Sequence, residues 1–433
     1  MSKVSMYVFY SLLLACAALL SLPWWAIQMI RLGKYRSGLA ERLGFVPARL
    51  NDAQPGSIWV HAVSVGEVLA VSQLLNDLQR KYPDRQIFIS TTTATGQNLA
   101  RQRFGENRVF FMPLDFGFAV RRYLNALKPQ LLVIAETEFW PNLLHLARKR
   151  QTSVAIVNAR ISDRSFPRYK RFKRFFGRVL SEVDLFLTQT AEDAQRLRDI
   201  GAPTERVRVS GNLKFDVRPN AQPDLITGLR AAIGTDSPVI VCGSTAEGEE
   251  EPLLAAFKAV QQQFPTAVMV LAPRHPERFE KVAALISAEG FALQRRSQWQ
   301  PPQPIRSGIF LLDSVGELAA VYELADIAFV GGSLVPTGGH NILEPAQYGA
   351  AILVGPHTFN FREIVSIFEQ GSAEQGGAVK TVTAENLPAQ FLSLLSNPDE
   401  RQRMGRAAKE LFTKHAGATR RTLEALAPLL QRQ

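Results

Sequence analysis

The sequence predicts an α/β protein built from two doubly wound domains that face a cleft, with a transmembrane helix in front of them. Three observations predict this fold class. The chain has 433 residues, more than a single hydrophobic core usually supports. Short apolar strands alternate with helices along most of it, which is typical of parallel sheets covered by helices on both faces. An uncharged apolar stretch, residues 6–30, precedes the first strand.

Residues 6–30 predict a membrane anchor, because about twenty apolar residues in a helix can cross a bilayer. A cleaved signal peptide is the alternative, but the run is long and leads through Trp24 and Trp25 into a basic segment, without a small-residue cleavage site. Only Lys3 precedes the run, so the positive-inside rule predicts a single pass with the large C-terminal part on the cytoplasmic side. The basic residues after the run, up to residue 50, are Arg31, Lys34, Arg36, Arg42 and Arg49.

The composition indicates an anionic partner and a reducing compartment. The formal net charge is +11, from 50 basic and 39 acidic residues, and nucleic acid, anionic lipid and nucleotide all fit such an excess. Cys16 lies in the predicted anchor and Cys242 in a predicted buried strand. Their spacing indicates neither a disulfide framework nor a zinc site.

Residues 51–217 are predicted to form the first domain. Strands and helices alternate there, as the βαβ crossovers of a parallel sheet require. The predicted strands are 57–63, 86–90, 109–112, 131–135 and 153–157, and the predicted helices are 67–81, 94–104, 116–127 and 141–150.

A second βα series follows a segment with Pro, Gly and a weak apolar pattern. We interpret this segment, residues 218–236, as a hinge. The second domain is predicted over residues 237–405. The tail, residues 406–433, has a helical pattern and is predicted to brace the first domain. The predicted strands of the second domain are 239–242, 268–271, 292–294, 309–311, 327–330 and 352–354.

Carboxylates follow two predicted strands of the first domain. Glu67 comes just past the first strand, and Glu136 and Glu138 follow the strand that ends at residue 135. Open α/β sheets bind ligands at the carboxyl ends of their strands, so Glu67 could take a proton from an attacking hydroxyl as a general base. The alternative, a first-turn acid that complements the helix dipole, is favoured by spacing alone. Glu136 and Glu138 suit contact with an acceptor, or a structural role, better than a metal site.

The most informative segment of the second domain is residues 329–345. A strand leads there into glycines, among them Gly338 and Gly339, and then into a helix start, where amides and the positive helix end can face an anion such as phosphate. Asn341 and Glu344 are three apart on one helix face, so the carboxylate could accept hydrogen bonds from adjacent ribose hydroxyls. The alternative is an ordinary turn capped by Asn341.

Other strand exits of the second domain support a nucleotide site. Arg274 follows the second strand, and its planar guanidinium can pair with phosphate oxygens and offset charge on a departing phosphate. A surface arginine is the alternative. Ser244 and Thr245 follow the first strand, and Gly316 and Glu317 follow a later one. Exits that converge on one edge of a sheet are typical of a nucleotide cleft.

A basic and aromatic segment lies between residues 160 and 178. Its apolar residues recur at helical spacing, which suits a surface of anionic lipid head groups. A helix that buries Phe172, Phe176 and Val179 and exposes its cations to water is the alternative, and the two are compatible. The cations are Arg160, Arg164, Arg168, Lys170, Arg171, Lys173, Arg174 and Arg178.

In order along the chain, these segments resemble the motifs of the bacterial 3-deoxy-D-manno-octulosonic acid (Kdo) transferases, which add Kdo from CMP-Kdo to a lipid A precursor. The resemblance covers nearly everything after the predicted anchor. It implies a GT-B architecture, with two Rossmann-like domains, the acceptor at the first and the sugar nucleotide at the second. The matching segments are residues 61–67 (HAVSVGE), 136–142 (ETEFWPN), 158–162 (NARIS), 211–216 (GNLKFD), 273–276 (PRHP) and 338–345 (GGHNILEP).

The resemblance also implies roles for individual residues. Glu67 would be the general base of an inverting displacement, Arg274 a phosphate ligand and Glu344 the ribose ligand. Val315 stands where relatives are expected to have methionine. The remaining implied residues are Glu136, Glu138 and Lys214 toward the acceptor, His275, Val315, Gly316, Glu317 and Asn341 toward the nucleotide, and Ser244, Thr245, Gly338 and Gly339 in phosphate and sugar loops.

By the same resemblance, no metal ion or other cofactor is required. The implied partners are CMP-Kdo, a lipid A precursor and the inner-membrane lipid surface, with no nucleic acid, and the catalytic domains would lie on the cytoplasmic face. One alternative is another membrane-associated GT-B transferase that uses a UDP-sugar and a lipid-linked acceptor. The first loop of such enzymes is usually glycine-rich, whereas this chain carries Glu67. A second alternative is a non-catalytic nucleotide-binding membrane module.

Overall fold

The computed structural model describes residues 3–32, 38–216, 222–371 and 376–431. The chain forms two compact units, which we call unit 1 (Met1–Val217 and Ala416–Gln433) and unit 2 (Arg218–His415). Lys34 and Arg36 of the predicted juxtamembrane segment, and residues 218–221 of the predicted hinge, lie outside the described residues.

Unit 1 is built around a parallel sheet. Its strands are β1 (Ser57–His61), β2 (Ile87–Thr91), β3 (Val109–Phe111), β4 (Pro129–Ala135), β5 (Ser153–Ala159), β6 (Leu185–Thr188) and β7 (Val207–Val209). In the described part of the unit they are ordered β3-β2-β1-β4-β5-β6-β7. The chain reverses direction across the sheet between β1 and β4, which is the topological switch point where doubly wound sheets bind ligands.

Helices cover both faces of this sheet, and the strands are accordingly apolar and buried. The helices are α1 (Lys3–Leu32), α2 (Leu39–Arg42), α3 (Val65–Lys81), α4 (Ala94–Phe104), α5 (Gly117–Leu127), α6 (Pro141–Lys149), α7 (Phe166–Arg171), α8 (Lys173–Leu180) and α9 (Ala191–Asp199). Short 3-10 helices are Ala48–Leu50, Glu106–Arg108, Thr204–Arg206 and Leu213–Asp216.

Unit 2 repeats the doubly wound plan. Its strands are β8 (Val239–Thr245), β9 (Val268–Pro273), β10 (Leu293–Arg295), β11 (Gly308–Leu311), β12 (Ile327–Val330), β13 (Ala351–Val354) and β14 (Val379–Thr381). They pair in parallel in the order β10-β11-β9-β8-β12-β13-β14. The switch point is here between β8 and β12, beside the predicted nucleotide-binding segment.

The helices of unit 2 include two short ones at candidate site loops. They are α10 (Pro223–Ile233), α11 (Glu250–Gln263), α12 (Phe279–Ala288), α13 (Leu318–Val321), α14 (Leu343–Ala346), α15 (Arg362–Gln370), α16 (Leu387–Ser396) and α17 (Pro398–His415), with 3-10 turns Pro276–Arg278 and Tyr322–Leu324. Strand β8 also runs to Thr245, three residues beyond its predicted end at residue 242.

The predicted hinge, residues 218–236, needs correction. Helix α10 occupies most of its described part and belongs to unit 2. Pro223 is at the first helical position, where proline is tolerated. Leu225, Leu229 and Ile233 recur at helical spacing and are buried in the unit 2 core. The apolar residues at helical spacing therefore predict this segment better than its Pro and Gly content, which suggested a hinge.

The predicted boundary between residues 405 and 406 is also wrong, because α17 runs through it without interruption. The chain leaves unit 2 at residue 415. Helix α18 (Ala418–Gln431) then packs against α3, β4 and β5 of unit 1. Leu426 lies in the unit 1 core. Asp216 receives hydrogen bonds from the backbone N–H groups of Gly417 and Thr419, which fixes the start of α18.

Among the described helices, α1 is long and apolar enough to cross a membrane, over Ser5–Pro23 with a mean hydropathy of 1.9. The first turns of this helix contact the rest of unit 1. The Tyr7 hydroxyl donates to Glu182 (3.2 Å) and the Tyr10 hydroxyl to Asp115 (3.0 Å). The Tyr7 ring also stacks on His145, with centroids 3.9 Å apart. Exposed apolar side chains of α1 are Val8, Phe9, Leu12, Leu13, Leu19, Leu20, Leu22 and Ile27.

The basic segment folds as α7 and α8, two short helices instead of one. Phe176 is partly buried against the unit 1 core and Val179 is fully buried, whereas Phe172 is 54% exposed, so the expected burial of all three is not realised. The break between the helices at Phe172 explains this exposure, because it interrupts the apolar stripe. The exposed cations are Arg164, Arg168, Lys170, Arg171, Lys173, Arg174 and Arg178.

Candidate active site

Glu67 lies in the first turn of α3, just past the carboxyl end of β1. Its side chain is only 8% exposed. One carboxylate oxygen accepts the backbone N–H of Val63 (2.8 Å) and the other accepts the Ser64 hydroxyl (3.2 Å). The pattern is close to a capping box, in which a first-turn acid folds back on the residues before the helix. The carboxylate is thus held in one position at the strand exit.

The environment of Glu67 suits proton transfer near neutral pH. Burial raises the pKa of Glu67 to about 7, although the hydrogen bonds from Val63 and Ser64 act in the opposite direction. The negative charges of Glu136 and Glu138 raise this pKa further. A general base works best when its pKa lies close to the operating pH. The capping arrangement and the role of a base are therefore compatible in one side chain.

Glu136 and Glu138 follow β4, which pairs with β1, so all three carboxylates leave adjacent strands. Glu136 has a left-handed backbone (φ 56°) and its N–H donates to the Val157 carbonyl (2.9 Å). Burial and the charge of Glu136 raise the pKa of Glu138. Within the described residues, no three His, Cys, Asp or Glu side chains are placed to hold a metal ion.

Lys214 lies in the 3-10 helix Leu213–Asp216, which packs against α3 and so approaches the element that carries Glu67. Asn158 positions this turn, because its side-chain oxygen accepts the backbone N–H of Leu213 (3.0 Å). Asn158 is buried and has a left-handed backbone (φ 54°). Sequence reasoning assigned it no role. It connects the segment 158–162 with the segment 211–216.

His61, six residues before Glu67, is a core residue. It is fully buried, and its Nδ1 lies 2.9 Å from the Ser90 hydroxyl. Burial lowers the pKa of His61 to about 4, so the ring is neutral at physiological pH.

In unit 2, the glycine-rich loop after β12 binds an internal anion. The backbone N–H groups of Gly332, Ser333 and Leu334 all donate to the carboxylate of Glu249, the residue before α11. These are amides that the sequence analysis expected to face a phosphate. The sequence analysis did not identify Glu249. The only signal in the sequence is an acidic residue at the start of α11, after β8, the strand that neighbours β12 and its loop.

Asn341 and Glu344 meet in the structure, but not on one helix as predicted. Helix α14 has only four residues and begins at Leu343, so Asn341 precedes it. The Asn341 side chain accepts the Leu343 N–H (3.2 Å) and donates to a Glu344 carboxylate oxygen (3.3 Å). A helix this short contributes little dipole. Recognition of a ligand at this loop would therefore depend mainly on the two side chains.

Arg274 lies close enough to this pair to act on it electrostatically. Its backbone N–H donates to the Thr245 carbonyl (3.0 Å), and its side chain is exposed. Burial raises the pKa of Glu344, while Asn341 and the positive charge of Arg274 lower it. Burial, followed by Arg274 and His275, lowers the pKa of His340 to about 4. A cation, a neutral imidazole and a carboxylate therefore share one region of unit 2.

The other predicted nucleotide-binding residues of unit 2 differ in whether their side chains are free to contact a ligand. Val315 is 78% exposed and Gly316 has a left-handed backbone (φ 90°). Both Glu317 carboxylate oxygens are bound by Arg296 (2.8 and 3.0 Å). The Thr245 hydroxyl is fully buried and donates to Glu250 (2.7 Å). The side chains of Glu317 and Thr245 are thus engaged inside unit 2.

Three further backbone positions shape the site loops. Gly338 (φ 103°) and Gly339 (φ 75°) are left-handed, and a Cβ on Gly338 would lie 2.6 Å from the Phe359 ring. Ser244 is also left-handed (φ 57°). These conformations favour glycine and place the Gly338–Gly339 turn against a neighbouring loop.

The chain is similar to known proteins over almost its whole length. A family model described as 3-deoxy-D-manno-octulosonic-acid transferase (kdotransferase) matches residues 37–217. The 3-deoxy-D-manno-octulosonic acid transferase of Haemophilus influenzae is 37% identical over 428 residues, 98% of this chain and 99% of the relative. The chain belongs to the Kdo transferase family. The transferase of Bordetella pertussis is 36% identical over 91% of this chain and 92% of that protein.

This Kdo transferase is accordingly a glycosyltransferase. Its fold resembles that of MurG from Acinetobacter baumannii, with a TM-score of 0.52 at 14% identity, over 86% of this chain and 100% of that chain. At this identity the likeness concerns the fold alone. The two parallel-sheet, Rossmann-like units of the Kdo transferase are those of a GT-B glycosyltransferase.

Proposed function

We propose that this Kdo transferase moves Kdo from CMP-Kdo to a lipid A precursor, lipid IVA, in lipopolysaccharide biosynthesis, with inversion at the anomeric carbon. The observation that carries the proposal is Glu67, a carboxylate held by two hydrogen bonds at the switch point of unit 1, with a pKa of about 7. No metal ion or cofactor takes part in the proposed reaction.

In the proposed mechanism, Glu67 removes the proton from a sugar hydroxyl of the acceptor as its oxygen attacks the anomeric carbon of Kdo. The new carbon–oxygen bond forms as the bond to phosphate breaks, and cytidine monophosphate leaves with the electron pair. The proton on Glu67 then passes to solvent. Glu136, Glu138 and Lys214 lie on the acceptor side of this scheme.

The donor is assigned to unit 2. Arg274 is exposed and cationic, which suits a phosphate, and its charge would stabilise the departing nucleotide. Glu344 would accept hydrogen bonds from the ribose hydroxyls, oriented by Asn341. Val315 and Gly316 would lie against the base, since the Val315 side chain is 78% exposed and Gly316 leaves open space beside it.

The test is a transfer assay with defined substrates. Purified protein in detergent is incubated with CMP-Kdo and tetraacylated lipid A precursor, and the product is analysed by mass spectrometry. A mass increase of one or more Kdo residues is expected. Transfer from a UDP-sugar instead would favour the other class of GT-B enzyme, and binding of CMP without turnover of either donor would favour a non-catalytic module.

Removing the Arg274 side chain is expected to weaken donor binding. In Arg274→Ala, the KM for CMP-Kdo should rise about tenfold or more, because a charge-assisted contact to phosphate is lost. The measurement is initial rate against CMP-Kdo concentration. Arg306→Ala, which removes another exposed unit 2 cation, serves as the control for net charge. Equal KM values for the two variants would remove Arg274 from the donor site.

We also propose that α1 attaches the enzyme to the inner membrane with both units on the cytoplasmic face. The exposed apolar side chains of α1 fit a hydrocarbon environment. The exposed cations of α7 and α8, next to Phe172, fit anionic head groups at the same surface. These two features support membrane contact by unit 1.

The position of the α1 N-terminus can be tested by labelling. A single pass places residue 5 on the periplasmic side, whereas the bonds from Tyr7 to Glu182 and from Tyr10 to Asp115 keep it beside unit 1. We expect the second result, with α1 lying in one leaflet. Ser5→Cys, in a Cys16→Ser background, should react with an impermeant maleimide only after lysis. Labelling of intact spheroplasts would instead establish the single pass.

A further inference from the structure

Glu249 has an unusual set of partners for a carboxylate. It is fully buried, and each of its oxygens accepts two backbone N–H groups. One oxygen is bound by Ala246 (2.8 Å) and Gly332 (2.7 Å), the other by Ser333 (2.9 Å) and Leu334 (2.7 Å). These four N–H groups fill the roughly four acceptor positions of a carboxylate, so the buried side chain is fully hydrogen-bonded. Glu249 therefore joins the exit of β8 to the loop after β12.

Other residues of the loop after β12 are hydrogen-bonded to the residues that Glu249 binds. The Gly332 carbonyl accepts the N–H of Gly339 (2.6 Å) and the hydroxyl of Thr337 (2.7 Å). The Ser333 hydroxyl accepts the N–H of Gly355 (2.8 Å), which ties the same turn to the end of β13. Residues 337–339 thus rest on residues 332–333, and Asn341 follows two residues later.

Gly331 and Gly332 are packed so closely that a side chain at either position would collide with its neighbours. A Cβ on Gly331 would lie 2.8 Å from a Glu249 carboxylate oxygen and 2.7 Å from the Ser244 carbonyl. Gly332 is left-handed (φ 67°), and a Cβ there would lie 2.8 Å from the His340 ring. The loop approaches the carboxylate as closely as glycine permits.

We propose that Glu249 is a positioning residue for the sugar-nucleotide donor. Its carboxylate acts as a built-in anion that organises residues 332–339 and so sets the orientation of Asn341 and Glu344. This inference rests on the proposed assignment of the donor to unit 2. It also implies that the amides of residues 332–334 do not bind the donor phosphate, which leaves that task to Arg274 and other groups.

The test is Glu249→Gln, which keeps the size of the side chain. Its amide nitrogen would face two N–H donors, so two of the four hydrogen bonds are lost. We expect the KM for CMP-Kdo to rise about tenfold or more, with a smaller change in kcat. By hydrogen exchange and mass spectrometry, amides in residues 331–339 should exchange faster than in the wild type, while those of β8 and β12 keep their protection.

The matched control is Asp326→Asn. Asp326 precedes the opposite, amino-terminal end of β12, where it accepts the Val239 N–H (2.9 Å) and pairs with Arg401 (3.4 Å). It should lower the stability of unit 2 without changing the donor KM, as expected for a structural acid remote from the loop. A rise in KM in both variants would mean that Glu249 acts only through stability.

Each other outcome also decides the proposal. An unchanged donor KM in folded Glu249→Gln overturns it, and so does unchanged exchange in residues 331–339. If Glu249→Gln does not fold, Glu249→Asp, which keeps the charge but shortens the reach, is measured in the same way. Failure of both to fold, while Asp326→Asn folds, would assign Glu249 to folding alone. Absence of turnover in the wild type would instead refute the proposed function.

Discussion

Replacement of Glu67 by glutamine or alanine is expected to lower the kcat of Kdo transfer about a hundredfold or more, with CMP binding unchanged. Neither replacement can accept the proton of the attacking hydroxyl. Glutamine keeps the shape, and its carbonyl oxygen can still accept one of the bonds now made by Val63 and Ser64. The measurement is single-turnover Kdo transfer at saturating CMP-Kdo, beside calorimetric titration with CMP.

Ser64→Ala is the matched control for the capping role of Glu67. It removes one hydrogen bond to the carboxylate but leaves the base in place. If Glu67 serves only to start α3, both variants should lose stability and neither should lose rate specifically. Full activity of Glu67→Gln would refute its assignment as the base.

The same pair of residues predicts the pH dependence. A base is active when deprotonated, so with a pKa of about 7 for Glu67, kcat/KM should fall roughly tenfold per pH unit below neutrality. The Ser64 hydroxyl stabilises the carboxylate and lowers this pKa. Ser64→Ala should therefore move the inflection to higher pH. A profile that is flat between pH 5 and 7 would contradict the assignment.

Leu426→Ala is expected to reduce the free energy of unfolding of unit 1 by about 2–5 kcal/mol, the usual cost of truncating a buried leucine. Leu426 is fully buried in α18, among core residues from α3 and the central strands. Amide exchange in β1 and β4, two buried strands of the unit 1 core, reports on unit 1 at increasing urea concentration. Leu426→Ala should not lower the stability of unit 2, which is measured by amide exchange in β8 and β12.

Val209→Ala provides the control for loss of apolar side-chain volume. Val209 is 50% exposed in β7 of the same sheet, so its truncation should change the unfolding free energy of unit 1 by about 0.5 kcal/mol or less. If Leu426→Ala were equally mild, α18 would not be part of the unit 1 core. Removal of residues 416–433 is expected to destabilise unit 1 more than Leu426→Ala does.

The buried strands and their alternation with helices could be predicted because they depend on local composition. Apolar runs such as those at β1, β4 and β12 are recognisable one at a time, and their alternation with helices leaves few parallel topologies. The predicted hinge failed for the opposite reason. Its Pro and Gly were visible, but whether α10 forms depends on a core that only the remainder of unit 2 supplies.

The candidate site was predictable to the extent that it follows strand ends. Glu67 and Arg274 could be named as candidates because catalytic and phosphate-binding groups in such sheets often follow their strands; their roles stay predictions. Glu249 and Asn158 were missed because their importance lies in bonds to residues 83 and 55 positions away along the chain. No local pattern marks a side chain that stabilises a distant loop.

The sequence by itself determined the two doubly wound units, the apolar N-terminal helix, and the motifs that resemble the Kdo transferase family. These follow from periodicity, composition and short segments, which are properties of neighbours in the chain. Only the tertiary structure decided that the Gly332–Leu334 amides bind Glu249, that Tyr7 and Tyr10 hold α1 on unit 1, and that burial brings the pKa of Glu67 to about 7. Hydrogen-bond partners and desolvation depend on which distant segments meet, and folding alone establishes that.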